Sequence, residues 1–263
     1  MPSAFFVIMK KYELDMVVRS TRRYSSGLLH LVLAPEGNGE VPEMNPGQFV
    51  EVAVDRANVL LNRPISVFNR TAGTLELLVS PVGTATKALC EYAEGDTLRI
   101  IGPLGKGFTT DFTPGSRVLL IGGGVGIAPL YYQLRVLTER GIKAEVVFGY
   151  RTAPDAEICS MFSAIAPLHV CTDDGTAGFH GLVTAHPILC EKFDFIQVCG
   201  PKPMMKACAR LAAEKRTSAE VSLENHMACG LGACLCCVED TVDGNVCVCK
   251  NGPVFNTNLL KWQ

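Results

Sequence analysis

This chain of 263 residues has no excess of charge of either sign: 24 Lys and Arg stand against 26 Asp and Glu, a net charge of −2. Nucleic-acid binding draws much of its free energy from cations that release phosphate counterions, so nucleic acid is not an expected partner. Long apolar runs are also missing. The longest charge-free stretch, VLLIGGGVGIAPLYYQL, is broken by four glycines and a proline and stops short of the roughly 20 apolar residues a spanning helix needs, so no membrane association is expected. The opening MPSAFFVIMKKYELD puts its apolar run before its lysines, the reverse of a secretory signal, and no small-residue cleavage site follows. It reads as a first β-strand, and the protein as cytoplasmic. There is no internal repeat, no low-complexity segment and no Ser/His/Asp or Cys/His constellation that would process an organic substrate; His30 lies in an apolar strand pattern. No catalytic residue is therefore expected in this chain.

Cysteine, by contrast, is plentiful, at twelve residues. In a reducing cytoplasm thiols are poor candidates for disulfides and better ones for metal or catalytic roles. Six of the twelve fall between Cys229 and Cys249, four of them within MACGLGACLCC, whereas Cys90, Cys159, Cys171, Cys190, Cys199 and Cys208 are scattered singly, as small core hydrophobes would be. The spacing Cys229-x4-Cys234-x2-Cys237, followed at a distance by another cysteine, is that of plant-type [2Fe–2S] sites, in which a glycine-bearing loop turns its N–H groups toward the sulfurs; Gly230 and Gly232 supply the glycines. Structural zinc is the rival reading. It favours two short C-x2-C-like pairs, and Cys247-x-Cys249 is cramped as the second.

The length suits about two ordinary domains. Residues 1–112 alternate apolar and polar positions, as in GLLHLVLAP, QFVEVAV and LELLVS, with Pro/Gly punctuation and no long helix, which predicts a meandering antiparallel sheet or small barrel. PGSRVLLIGGGVGIAPLYYQLRVLTERG then passes from an apolar strand through a glycine turn into a helical pattern, and KAEVVFGYR follows as a strand. APLHVCTDDG and FDFIQVCGPKPMMKACARLAAEK repeat the theme, so residues 113–218 read as a doubly wound α/β domain. Residues 219–263 form a small cysteine-rich segment. The expected class is thus β plus α/β with a cluster-binding tail.

Four stretches offer ligand chemistry. GGGVGIAP, with Gly122, Gly123, Gly124 and Gly126, sits at a strand-to-helix turn where bare backbone can approach a pyrophosphate; the bland alternative is a tight turn. CGPKPMM, with Cys199, Gly200 and Pro201, puts a second Gly-Pro turn after another strand, beside the first at the carboxyl edge of a parallel sheet. NRPISVFN places Arg63, Pro64 and Ser66 in an otherwise apolar strand, a planar fork for phosphate, a fixed extended backbone and one hydroxyl; alone it reads as an edge strand ending at proline. VGTATKAL begins a helix behind small and hydroxyl residues, and GPLGKGF is a glycine turn.

Taken in order, these stretches resemble the ferredoxin–NADP reductase superfamily and, within it, the electron-transfer subunits of class 1B dihydroorotate dehydrogenase, over nearly the whole chain. RPIS looks like the flavin motif, GGGVGIAPL the nucleotide loop, TDDG and CGPKPMM the nicotinamide-side loops, and MACGLGAC with CKNGPVF the cluster-binding tail. The resemblance implies FAD held by Arg63, Pro64, Ile65 and Ser66 with Leu78, Val79, Ser80, Ala85 and Thr86. It implies NAD(H) at Gly122, Gly123, Gly124, Gly126, Cys199, Gly200 and Pro201, and a [2Fe–2S] cluster on Cys229, Cys234, Cys237 and Cys249. Cys236 and Cys247 are left to packing. Two departures stand out: relatives often read G-K-G-T where this chain has Gly83-Thr84-Ala85-Thr86, and a Tyr-Arg pair in some relatives is Val79-Ser80 here.

The implied activity is electron transfer between NAD(H) and an FMN-bearing dihydroorotate dehydrogenase subunit, two of each chain in a heterotetramer, with dihydroorotate oxidised to orotate in pyrimidine biosynthesis. Two alternatives are a flavin/iron–sulfur reductase serving ferredoxin, sulfur compounds or an oxygenase, and a non-catalytic zinc-knuckle module. Arg151 could meet the 2′-phosphate of NADP, but Asp155 nearby would repel it, and the resemblance favours NAD.

Overall fold

The structure, a computed structural model, describes residues 10–262. Six antiparallel strands close a barrel: β1 (Tyr12–Arg23), β2 (Leu29–Pro35), β3 (Phe49–Val52), β4 (Arg63–Arg70), β5 (Leu75–Val79) and β6 (Thr97–Leu104), in the order β1-β2-β5-β4-β3-β6. A short helix, α1 (Thr84–Leu89), lies between β5 and β6. Of the expected first strand, Tyr12–Asp15 belong to β1, and residues 1–9 lie outside the described residues.

The period-2 pattern fills the barrel. Leu29, Leu31 and Leu33 of β2 are buried while their neighbours are half-exposed, and they meet Val50, Val52, Val67, Leu75, Leu77 and Ile100 in one core. In β3 all four residues are buried, because both faces are covered: Val50 and Val52 point into the barrel, whereas Phe49 joins Cys237, Val248 and Cys249 of the chain's last segment in a second core.

The second unit holds β7 (Arg117–Gly123), α2 (Ala128–Glu139), β8 (Lys143–Tyr150), α3 (Ala156–Ser163), β9 (Leu168–Thr172), β10 (Phe179–His180), β11 (Phe195–Cys199), α4 (Lys202–Glu214) and β12 (Ser218–Ser222). The sheet runs β10-β9-β8-β7-β11-β12 in parallel. Leu119 and Ile121 of β7 pack with Met205, Cys208 and Ala212 of α4; Val118 and Leu120 pack with Leu130 and Leu134 of α2 and Phe162 of α3. Helices on both faces explain why β7 reads as a continuous apolar run.

The sheet crosses the expected 218/219 boundary. Ala219 and Val221 alternate inward along β12, and the chain returns after a hairpin, β13 (Val238–Thr241) and β14 (Gly244–Cys247), and one helical turn, α5 (Val248–Asn251), to add β15 (Val254–Asn256) antiparallel to β12. The cysteine segment is thereby clamped at both ends to the α/β sheet. Among the described residues no helix is long and apolar enough to cross a membrane.

Candidate functional site

A cleft of about 330 Å³ opens where the barrel meets the sheet. Pro64, Ile65 and Ser66 of β4, Leu78 and Val79 of β5, Ser80 just after it and Thr86 of α1 line its barrel side, so seven of the nine residues expected to hold flavin converge there. The other two do not line it. Ala85 is packed into the barrel core, and the Arg63 guanidinium at the start of β4 donates to the carbonyls of Leu61 (2.7 Å) and Asn62 (3.0 Å). Across the cleft stand Val125, Ala128, Cys199 and Ser222 of the α/β unit, together with Asn225, Met227 and Pro253 of the cysteine segment. A planar, largely apolar ring with polar edges suits these walls.

A larger cleft, about 630 Å³, lies at the carboxyl ends of β7, β8 and β9 and the start of α4. Gly124, Tyr150, Arg151, Asp155, Asp173 and Pro201 are among its walls. This is the crevice where parallel α/β sheets bind nucleotides. Gly124 opens a 3₁₀ turn, Gly124–Ile127, that leads into α2; its φ is +57° and a β-carbon there would meet nothing within 4 Å, so the backbone is bare toward the ligand side. The remaining expected glycines serve another end. A β-carbon on Gly126 would stand 2.6 Å from the Cys199 carbonyl oxygen, and Gly122, Gly123 and Gly200 are closed off by Ile127 and Met204. They let the two loops pack on each other, and only Gly124 and Pro201 of the expected nucleotide residues line this cleft, while Cys199 faces the smaller one. The two clefts are thus back to back across Gly124–Val125 and Cys199–Pro201.

Asp155 binds the domains together at this mouth: its carboxylate accepts from the Ser25 hydroxyl and, at 3.2 Å, from the Ser26 N–H. Burial works to raise its pKa, but these hydrogen bonds outweigh it and hold the group below its usual range.

The cysteine loop is built around Cys229. Gly230 (φ +62°), Gly232 (φ +83°) and Leu235 (φ +58°) turn the chain so that the N–H groups of Leu231, Ala233 and Cys234 each lie 3.4 Å from the Cys229 sulfur. The donors on Leu231 and Cys234 lead in bringing this thiol down to about 6. Cys237 and Cys249 are each 2% exposed, and the Cys249 N–H points at the Cys237 sulfur, at 3.4 Å. Burial first, then contact with Cys237, pushes the Cys249 thiol up to about 12. The four expected ligands therefore stand as two contacting pairs, Cys229 with Cys234 and Cys237 with Cys249. Among the described residues no three such side chains converge tightly enough to grip a single ion as placed. An all-thiol set ringed by N–H donors fits an iron–sulfur cluster. Cys247 is half-buried, its sulfur 3.9 Å from the Gly232 carbonyl and also in contact with Cys237, so it stands beside the expected ligands; Cys236 is exposed, so packing does not describe it.

Sequence reasoning missed Asn225, Met227 and Pro253 in the wall of the smaller cleft, because nothing local signals that β12 ends at that cleft and that β15 brings Pro253 back to it. It also missed Glu51. This β3 residue is 3% exposed, and neither carboxylate oxygen has a hydrogen-bond partner. Burial pushes its carboxyl up to about 7, with Cys229 adding to the rise and Arg63 opposing it. In sequence it is only the polar position of an alternating strand.

Residues 224–261 match the family described as the iron–sulfur cluster binding domain of dihydroorotate dehydrogenase B, which favours iron–sulfur over zinc. The chain is 39% identical over 228 residues to the dihydroorotate dehydrogenase B (NAD(+)) electron transfer subunit of Listeria monocytogenes serovar 1/2a, covering 84% of this chain and 89% of that one. It is 38% identical over 248 residues to the same subunit of Bacillus caldolyticus, covering 91% and 95%. A solved NADH-dependent reduced ferredoxin-NADP oxidoreductase chain superposes with a TM-score of 0.81 at 30% identity, over 95% of this chain and 90% of that one. The flavohaem-like FAD/NAD binding domain of a Vibrio cholerae nitric oxide dioxygenase, at 21% identity and a TM-score of 0.67 over 79% and 98%, shares the fold. The chain belongs to the family of dihydroorotate dehydrogenase B (NAD(+)) electron transfer subunits.

Proposed function

We propose that this protein carries electrons between NAD(H) in the larger cleft and a partner FMN-bearing dihydroorotate dehydrogenase subunit, by way of FAD in the smaller cleft and a [2Fe–2S] cluster on Cys229, Cys234, Cys237 and Cys249. The observation that carries this reading is contiguity. The smaller cleft shares Val125 and Cys199 with the loops that bound the nucleotide cleft, and Asn225, Met227 and Pro253 with the cysteine segment. When bound, the flavin supplies the conversion between a hydride's two electrons and the single electrons an iron–sulfur cluster takes.

The chain's own residues bind, orient and shield. Pro64, Ile65 and Ser66 would present an extended backbone and one hydroxyl to a ring edge, and Arg63, beside them and turned to the Leu61 and Asn62 carbonyls, would supply the cation for the cofactor's phosphates. Bare backbone at Gly124 would face a dinucleotide in the larger cleft, whose walls carry both Arg151 and Asp155; the NAD(+) subunits to which the chain is similar support NAD there. The N–H groups around Cys229 stabilise thiolate sulfur. No substrate-processing side chain is assigned here. The FAD unit at 1–112, the NAD unit from residue 113, whose sheet β12 and β15 complete, and the cluster segment held between those two strands act in the cytoplasm, two copies with two catalytic subunits.

The test is reconstitution. Acid extraction of the purified protein should release FAD, with two irons per chain, and mixing with the FMN subunit should couple dihydroorotate oxidation to NAD⁺ reduction. Recovery of FMN alone, or of zinc without flavin, would contradict the reading.

A further inference from the structure

Alternation along β3 sends Val50 and Val52 into the barrel and leaves Phe49 and Glu51 on the face that the cysteine segment covers. Phe49 suits that place. Glu51 does not, on stability grounds alone, since an uncompensated carboxylate out of water is costly and persists only where something else requires it. Two other carboxylates at the domain seams are satisfied: Glu76 is bound by His30 and Asn69, and Glu220 by Thr109 and Gln197. Arg63, one residue from Pro64 and so close to Glu51 across the β3–β4 ladder, gives its guanidinium to the carbonyls of Leu61 and Asn62 instead.

The carboxylate is aimed at the cysteine loop. A β-carbon on Gly230 would lie 2.8 Å from Glu51 Cγ and 2.9 Å from its Oε1, with Leu104 at 3.2 Å closing the other side. Gly230 directly follows Cys229. The absent side chain at 230 is what allows the loop to seat against Glu51, and the seam is too tight and apolar to screen a charge.

We propose that Glu51 is a positioning residue that sets the reduction potential of the [2Fe–2S] cluster: its unpaired carboxylate lies in the dry seam between the flavin strand and the cluster loop and disfavours the extra electron on the cluster. Net charge and burial are the levers by which a protein tunes such a centre. Lowering the cluster potential makes electrons leave it more readily. This inference rests on the cluster assignment above, and the experiment separates the two.

The experiment is a redox titration of the complete complex at about pH 8.5, where the Glu51 carboxyl is ionised, followed by electron paramagnetic resonance, on wild type, Glu51→Gln, Glu51→Met and, as a paired-carboxylate control, Glu76→Gln. Both Glu51 substitutions keep shape and remove the buried acid, so their thermal midpoints should equal or exceed that of wild type. Their cluster should be easier to reduce, by roughly tenfold in the reduced-to-oxidised ratio at a fixed solution potential, which is about 59 mV for a one-electron couple. Glu76→Gln should leave the potential where it is. A normal wild-type signal with an unmoved potential in both Glu51 variants, or an equal movement in Glu76→Gln, overturns the role of Glu51 while leaving the cluster assignment standing. Absence of any cluster signal in wild type overturns the assignment itself, and this inference with it.

Discussion

Gly126 lies against Cys199, so closely that a β-carbon at 126 would come within 2.6 Å of the Cys199 carbonyl oxygen and of Gly200 Cα. Two loops from different strands are braced on each other at this point. The brace fixes which of their residues face the flavin cleft, Val125 and Cys199, and which face the nucleotide cleft, Gly124 and Pro201.

Gly126→Val should therefore damage both clefts at once, lowering the thermal midpoint and the flavin content together with the rate of anaerobic flavin bleaching by NADH. Gly124→Ala should act differently. Space is open there, but a positive φ costs an alanine roughly 1–2 kcal/mol, and the new methyl group projects toward the dinucleotide. Weaker NADH binding with flavin retained is the expected result, read by absorbance titration.

Arg63→Ala removes the cation nearest the flavin motif. A hydrogen bond to a charged group is worth about 1.5–3 kcal/mol, so flavin should dissociate roughly 10- to 100-fold more readily on dilution, as measured by the growth of free-flavin fluorescence. Retention equal to wild type would show that Arg63 only ties down the Leu61 and Asn62 carbonyls.

Glu76 gives a pH-dependent prediction. Burial tends to raise its pKa, but hydrogen bonds from His30 (2.8 Å) and Asn69 (2.7 Å), together with the nearby charge of Arg135, hold it below the usual carboxylate range. A carboxyl whose folded pKa is depressed contributes stability above its unfolded value, about 4.3 for Glu, and loses it as pH falls through the folded value. Glu76→Gln should cost about 1–3 kcal/mol at pH 7, and its urea unfolding curve should start to approach that of wild type below about pH 4 and meet it only below the depressed folded value. A difference that does not change with pH would contradict this account.

The barrel was legible because β2 alternates cleanly along its length, and the α/β unit because strand, glycine turn and helix recur in order. Spacing picked out Cys229, Cys234 and Cys237 as candidate ligands, and the resemblance added Cys249. What escaped sequence reading depends on long-range topology. The purpose of Gly126 is set by Cys199, 73 positions away along the chain, and β12 reads as the start of a tail until β15 returns to pair with it. Glu51 is similar: local alternation places it on the solvent side of a barrel strand, and only the folded-back cysteine segment buries it.

The central claim is that electrons pass through the cluster between flavin and partner. Alanine at Cys229, Cys234, Cys237 or Cys249 should abolish the cluster's paramagnetic signal, whereas alanine at Cys236 or Cys247 should spare it. The most direct measurement is the dihydroorotate-dependent reduction of NAD⁺ by the FMN subunit reconstituted with Cys234→Ala. This variant loses an exposed ligand and leaves both clefts intact. The account predicts that NADH still bleaches its flavin while the coupled reaction fails; a coupled rate equal to wild type in the cluster-free protein would contradict it.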